Sequence, residues 1–200
     1  MSRSLRSIIL LAIVICSLAA SSGGRGAAQA EPPAADFLPA ATVFGTEWVM
    51  LGTMALELPA DAFQDGVSSV YGGPAGARVI ILVMREASER VVVRRSWEEA
   101  LTLLERAGRE MVRDRDQNEI LAALPPPPGC QEAKRLEGTA RALGLDTGIP
   151  VGVTLCATGS GTLLLVTTTG TVLDLTGHEA SDAVTALLLG AGPLATPSAG

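Results

Sequence analysis

Four consecutive prolines at positions 125–128 divide this chain into two halves. Proline lacks a backbone N–H and has a fixed φ, so four in a row can neither continue a helix nor pair within a central strand. We expect a stiff polyproline II connector here. Both halves read as strands followed by a helix, which predicts an α+β fold with an antiparallel sheet packed against two main helices, at about 97–114 and 177–189. A duplicated strands-then-helix unit is a further hypothesis, although the residues show no aligned repeat.

The first half contains two clear strand patterns. Residues 67–71 and 77–84 are rich in apolar and β-branched side chains, and a glycine-rich turn segment separates them. Residues 91–93 are expected to continue the sheet. A capping box then opens the predicted helix 97–114, whose apolar residues recur at steps of three and four. For residues 48–58 the pattern does not decide between strand and helix.

The second half begins with an alternating segment. Residues 134–143 alternate small or apolar side chains with polar ones, which predicts a strand with one solvated face that carries Arg135 and Glu137. Residues 144–148 are expected to form a turn, since two glycines bound them.

A hairpin and a helix complete the predicted domain. Residues 151–157 and 162–168 read as the two strands of the hairpin, and 171–175 as a short further strand. A capping box that starts at Thr176 predicts the beginning of the second helix. Gly190 is suited to end that helix in the left-handed conformation.

The first thirty residues have the pattern of a secretory signal peptide. Arg3 and Arg6 precede the apolar run 8–15, and small residues lead to Ala28 and Ala30. A basic region, a short apolar region and an A-x-A cleavage site are the three parts of such a signal. We therefore expect cleavage after Ala30 and a secreted or periplasmic protein whose mature chain has no transmembrane helix.

Two other interpretations of the N-terminus stay open. In the first, an uncleaved signal anchors the protein in the membrane, although the apolar residues 8–20 are fewer than the roughly 20 that a spanning helix needs. In the second, Cys16 is a lipoprotein acylation site, although the bulky Ile15 precedes it where a small residue is preferred.

The remaining chain is predicted to form one domain. We expect a flexible spacer over 31–36, a single α+β domain over 37–190 that includes the proline connector at 125–128, and a flexible tail over 191–200. A chain of this size can bury enough surface to be stable as one domain.

Cys130 and Cys156 are the two cysteines that follow the signal peptide. An even number of cysteines in an exported chain favours a disulfide. A reactive thiol is the alternative, but the chain has no C-x-x-C motif and no second histidine. We therefore predict a structural disulfide that ties the exit of the proline connector to the second sheet region.

The charge of the chain limits its partners. The formal net charge is −6 at pH 7 and the sequence pI is about 4.8. An acidic protein repels phosphate backbones, and no run of basic residues alternates with aromatic ones, so nucleic-acid binding is disfavoured. A small ligand or an envelope protein is the partner class that remains.

All aromatic residues of the chain lie between Phe37 and Trp97. An aromatic-lined ligand pocket would therefore come from the first half, and its candidate members are Trp48, Phe63, Tyr71 and Trp97. The simpler interpretation is that these rings are core residues, and we favour it.

Candidate catalytic residues are few. His178 is the only histidine, and although it shares a predicted helical face with Asp182, as in a H-E-x-x-H zinc motif, no nearby third ligand follows. Ser160 lies in a predicted hairpin turn, whereas a G-x-S-x-G nucleophile needs glycines two residues away on both sides and a following helix. We therefore expect no catalytic residue, no metal site and no cofactor.

These patterns favour an exported, non-catalytic binding, sensory or accessory domain of the bacterial envelope or exterior. One alternative is an extracellular hydrolase that uses Ser160 or a metal near His178. The other is a structural protein-interaction module that pairs through an exposed sheet edge.

Overall fold

The computed structural model describes residues 33–58, 60, 63–86, 120–142 and 145–190. The predictions for the signal peptide with Ala28 and Ala30, the strand 91–93, the helix 97–114 and the tail 191–200 lie outside these residues.

Within the described part of the chain, six strands form one antiparallel sheet. The strands are β1 (Val49–Ala55), β2 (Phe63–Gly72), β3 (Arg78–Glu86), β4 (Glu132–Ala142), β5 (Leu145–Ala157) and β6 (Thr162–Thr169). Their order across the sheet is β1-β2-β3-β6-β5-β4. The predicted α+β class with an antiparallel sheet is confirmed. Two three-stranded meanders meet where β3 pairs with β6, whereas the duplicated unit stays a prediction because the helix 97–114 lies outside the described residues.

One face of the sheet carries the second predicted helix, Gly177–Leu188, which we call the C-terminal helix. It packs mainly across β5 and β6. The same face of β2 and β3 is covered by the chain that precedes β1, which includes the short 3₁₀ turns Ala34–Phe37 and Ala41–Val43. We call this face the helix side of the sheet.

Apolar residues are buried on both faces of the sheet, and β3 shows the division. Val79 and Ile81 belong to the core on the helix side, while Leu82 and Met84 belong to a second core on the opposite side. Successive residues of a strand point to opposite faces, so a strand buried on both faces reads as a continuous apolar run. This explains why the sequence of β3 predicts a strand so clearly.

The structure resolves the ambiguity at residues 48–58 and shortens a predicted turn. Val49–Ala55 is strand β1, although it contains Gly52 and two methionines. Most of the turn expected at 144–148 is strand instead, because β5 already begins at Leu145 and pairs with the end of β4. Gly148 adopts a positive φ of 64° inside β5, where a register irregularity follows Ala140 of β4.

The short strand expected at 171–175 is a turn instead. Val172 and Leu175 exchange two backbone hydrogen bonds of 2.9 and 3.0 Å, and the two residues between them have φ values of 54° and 61°. These residues are Leu173 and Asp174; aspartate tolerates the left-handed conformation, whereas leucine rarely adopts it. The absence of glycine here explains why the sequence pattern reads as a strand.

The packed domain begins earlier than the predicted spacer 31–36 allows. Ala34 is buried, and its backbone N–H donates to Asp65 Oδ2 at 3.1 Å. Asp65 also accepts two hydrogen bonds from the buried Arg85, at 2.6 and 3.1 Å. A small buried residue, whose backbone N–H is held by a carboxylate of β2, therefore packs the segment before β1 against the sheet.

Cys130 and Cys156 form the predicted disulfide, with an S–S distance of 2.07 Å and a Cα–Cα distance of 5.6 Å. Cys156 lies in β5 and is fully buried, and Cys130 follows the proline run. The backbone N–H of Gln131 donates to the carbonyl of Ala157 at 2.8 Å. The connector is thus fastened to β5 by a covalent bond and an adjacent hydrogen bond.

Candidate functional site

The structure separates the aromatic residues proposed for a pocket. Trp48 and Tyr71 are buried in the core on the helix side, whereas Phe63 is buried in the core on the opposite side. Trp97 lies outside the described residues. Phe44 joins the first two rings, at centroid distances of 5.4 Å from Trp48 and 5.0 Å from Tyr71. Phe63 is therefore not brought together with the other two, and each ring lies in a packed core.

The phenol of Tyr71 has a shifted pKa. Burial raises the pKa of its phenol above the ordinary value of 10.0, and a hydrogen bond with Ser69 acts in the opposite direction. The phenol O–H donates to the carbonyl oxygen of Pro39 at 2.9 Å. The hydroxyl therefore fastens the chain before β1 to the sheet, since a buried O–H needs an acceptor.

His178 and Glu137 form a pair at the beginning of the C-terminal helix. Glu137 Oε2 accepts a hydrogen bond from the backbone N–H of His178 at 3.2 Å and contacts Nδ1 of its ring. The predicted capping box is wrong, because the N-cap residue Thr176 makes no side-chain cap hydrogen bond. A carboxylate from β4 replaces it, and its charge is favourable at this positive end of the helix dipole.

The beginning of the helix lies very close to the sheet. A Cβ atom built on Gly152 would be 1.8 Å from the carbonyl oxygen of Gly177. Gly177 itself has a φ of 59°, and a Cβ atom there would be 2.6 Å from Glu137 Oε1. Two glycines therefore permit the close approach that places His178 beside Glu137.

A buried polar network lies under the same helix. Arg135 Nε donates to Asp182 Oδ2 at 2.6 Å, and the other carboxylate oxygen accepts from the Thr154 hydroxyl at 2.7 Å. Thr154 and Ser181 share a hydrogen bond of 2.7 Å. The side chains of Arg135 and Asp182 are only 4% and 12% exposed. Removing either partner of such a buried ion pair would leave the other charge buried without a counter-charge.

Arg135 also holds the proline connector. Its guanidinium donates to the carbonyl oxygens of Leu124 at 3.3 Å and Pro125 at 2.5 Å. One side chain thus links β4, the connector and the C-terminal helix.

The network corrects the interpretation of β4. The face expected to be solvated, with Arg135 and Glu137, is the one covered by the C-terminal helix. The sequence showed the alternation and the helical spacing of His178 and Asp182. It did not show the register that brings these four residues together.

Ser160 lies in the exposed turn between β5 and β6, where its hydroxyl is 3.0 Å from that of Thr158. The beginning of the C-terminal helix contacts Gly152, and Ala157, the last residue of β5, lies five positions beyond Gly152. This separation is about 16 Å at 3.3 Å per residue. His178 is therefore not within reach of Ser160 for general-base catalysis.

The described ranges contain no group of three or more His, Cys, Asp or Glu side chains that could hold a metal ion.

Strand β1 is an apolar edge of the sheet. Its seven residues, VMLGTMA, contain no charge, and all seven are exposed. The large apolar side chains are exposed to 56% at Val49, 46% at Met50, 57% at Leu51 and 58% at Met54. Large apolar side chains grouped on an exposed edge are typical of a binding surface.

The two edges of the sheet differ in chemistry. Strand β4, at the other edge, contains five charged residues, among which Glu132 and Lys134 are exposed. Charged side chains, lysine above all, discourage pairing with a further strand. β1 has no such side chain, and its irregularity in register between Met50 and Gly52 leaves the second half of the strand regular.

The backbone of β1 has groups available for pairing at Thr53 and Ala55. The N–H of Leu56 donates to the carbonyl of Gly66, at 2.9 Å, so the backbone groups of Leu56 point toward β2. In an antiparallel pair, alternate residues direct their backbone groups toward the same neighbour. Thr53 and Ala55 therefore direct theirs away from β2, where no described strand pairs with them.

None of the helices in the described ranges is both long and apolar enough to cross a bilayer. Comparisons with protein-family models, curated proteins and solved structures gave no match for this chain.

Proposed function

We propose that this protein is an exported, non-catalytic binding domain that takes up an extended polypeptide segment as an additional strand beside β1. The observation that carries the proposal is strand β1, which lies at one edge of the sheet, contains no charge and is exposed at every residue, whereas β4 at the other edge is charged. In strand addition, backbone hydrogen bonds supply affinity and side chains on alternate positions supply specificity.

The side chains of β1 are suited to this role. Met50 and Thr53 lie on the helix side of the strand, while Met54 lies on the opposite side, because their pairing partners in β2 do so. Methionine is flexible and polarisable, and it adapts to different apolar partners. A bound strand would therefore contact apolar side chains on both of its faces.

Export is part of the same proposal. It is supported by the signal-peptide pattern of residues 1–30, and the Cys130–Cys156 disulfide is compatible with it, since disulfides persist in oxidising compartments. Cell fractionation and N-terminal sequencing test it. The expected mature N-terminus is Glu31, and an intact Met1 in a cytoplasmic fraction would contradict export.

The test of strand addition uses linear peptides selected from a random library on the purified, disulfide-bonded protein. The tightest peptide is then titrated calorimetrically against two variants of Ala55. Ala55→Pro removes an outward N–H, and we expect its affinity to be about tenfold or more weaker than that of the wild type. Ala55→Val keeps the N–H and is the matched control.

Thermal unfolding first checks that both variants are folded, so that a difference in affinity reports on the edge and not on stability. Weak binding by Ala55→Pro with normal binding by Ala55→Val supports the proposal. Equal affinity of the two variants, or a library that yields no binder, contradicts it.

A further inference from the structure

We infer that the segment bound by β1 has an uncharged apolar centre flanked at both ends by basic residues, and that it belongs to a different protein rather than a second copy of this chain. This inference rests on the function proposed above.

The basic flanks follow from two acidic residues that bracket the strand. Glu47 precedes β1 by two residues, and Glu57 follows it by two. Both are exposed. A strand laid beside β1 would therefore meet a carboxylate at each end, whichever direction it runs. Opposite charges at facing positions stabilise a strand pair, and like charges destabilise it.

The same arrangement disfavours a second copy. If two β1 strands paired antiparallel, Glu47 of one copy would approach Glu57 of the other at both ends of the contact, because the two acids flank the strand symmetrically. If they paired parallel, each glutamate would lie beside its equivalent. Both arrangements place like charges together, and the net charge of −6 on each copy adds to the repulsion.

The uncharged centre follows from the residues between the glutamates. Val49, Leu51 and Met54 are all more than half exposed, and nothing in β1 could pair with a buried charge. A charged side chain in the middle of the incoming strand would lose water without gaining a partner.

The experiment compares two synthetic peptides with the same alternating valine–threonine centre, which matches β1 in length. One carries two lysines at each end, and the other carries two glutamates. We expect the lysine-flanked peptide to bind about tenfold more tightly in calorimetry at low salt. High salt should reduce this preference, because exposed charges are screened.

Variants of the two glutamates test the stated cause. The double variant Glu47→Lys with Glu57→Lys should invert the preference, and Glu47→Gln with Glu57→Gln should remove it. Ala55→Pro should weaken the binding of both peptides.

The failures are distinguishable. Equal binding of both peptides, weakened by Ala55→Pro, would overturn the inference about basic flanks and leave the edge function standing. Binding that Ala55→Pro does not weaken would overturn the edge function itself. A wild-type dimer in analytical ultracentrifugation that Ala55→Pro dissociates would identify a second copy as the occupant and overturn the inference.

Discussion

Arg135 of β4 donates a hydrogen bond of 2.6 Å to Asp182 of the C-terminal helix, across a distance of 47 residues in sequence. The same guanidinium donates to the carbonyl oxygens at the start of the proline connector. The pair therefore joins three parts of the fold: β4, the proline connector and the C-terminal helix.

Asp182→Ala should lower the free energy of unfolding by about 3–5 kcal/mol, because it leaves Arg135 buried without its counter-charge. The double variant Arg135→Met with Asp182→Ala should lose clearly less than the sum of the losses in the single variants Arg135→Met and Asp182→Ala. Urea denaturation of the four proteins measures this coupling. Additive single losses would show that the pair does not act as a unit.

Gly152→Ala should destabilise the protein strongly, by about 3 kcal/mol or more, because its new Cβ would overlap the Gly177 carbonyl oxygen and push the helix from the sheet. Gly52→Ala is the matched control within the same sheet, since nothing lies within 4 Å of a Cβ at that position. Thermal unfolding compares the two. A change of similar size in both variants would contradict the close approach.

Much of the sheet could be predicted from local patterns, whereas the polar contacts could not. β3 and the β5–β6 hairpin are predicted by their apolar runs and turn residues. The alternation predicts a solvated face with Arg135 and Glu137, because it identifies two faces of a strand without showing which one a distant helix covers. The local pattern likewise predicts Thr176 as the helix cap, because the actual partner, Glu137, is far away in sequence.

Replacing Cys130 and Cys156 together by alanine should lower the free energy of unfolding by about 3.5 kcal/mol, given a loop of 26 residues. The bond restricts the conformations of the unfolded chain, so the double variant should be less stable than the oxidised wild type in denaturant unfolding. Reduction of the wild type should remove this difference. Mass spectrometry after alkylation checks that the wild-type thiols are paired. An equal stability of oxidised and reduced wild type would contradict this role.

Tyr71 should make stability depend on alkaline pH. Its pKa is raised in the folded state, mainly by burial, so the folded protein keeps the phenol proton after the unfolded chain has lost it. The contribution is complete below the ordinary value of 10.0 and is lost as pH rises above it. Tyr71→Phe should cost about 1 kcal/mol at neutral pH through the lost bond to Pro39. The difference in free energy of unfolding between Tyr71→Phe and the wild type should become smaller at higher pH. A difference that does not change with pH would contradict the raised pKa.

The candidate binding edge was only partly visible in the sequence. The pattern of residues 48–58 is apolar but left strand and helix undecided, so an edge strand there could not be named. Its position depends on the order β1-β2-β3-β6-β5-β4, which is set by long-range pairing of β3 with β6. The role of Glu47 and Glu57 could not be predicted from the sequence, because it depends on β1 lying between them at an edge of the sheet.

Amide hydrogen exchange at Thr53 and Ala55 tests the proposed edge pairing most directly. Both N–H groups point away from β2, so they should exchange quickly in the free protein, while the amides of Met54 and Leu56 exchange slowly. Saturation with the lysine-flanked peptide should slow exchange at Thr53 and Ala55 by about tenfold or more. Protection of these two amides already in the free protein, or peptide binding that leaves them unprotected, would contradict strand addition at β1.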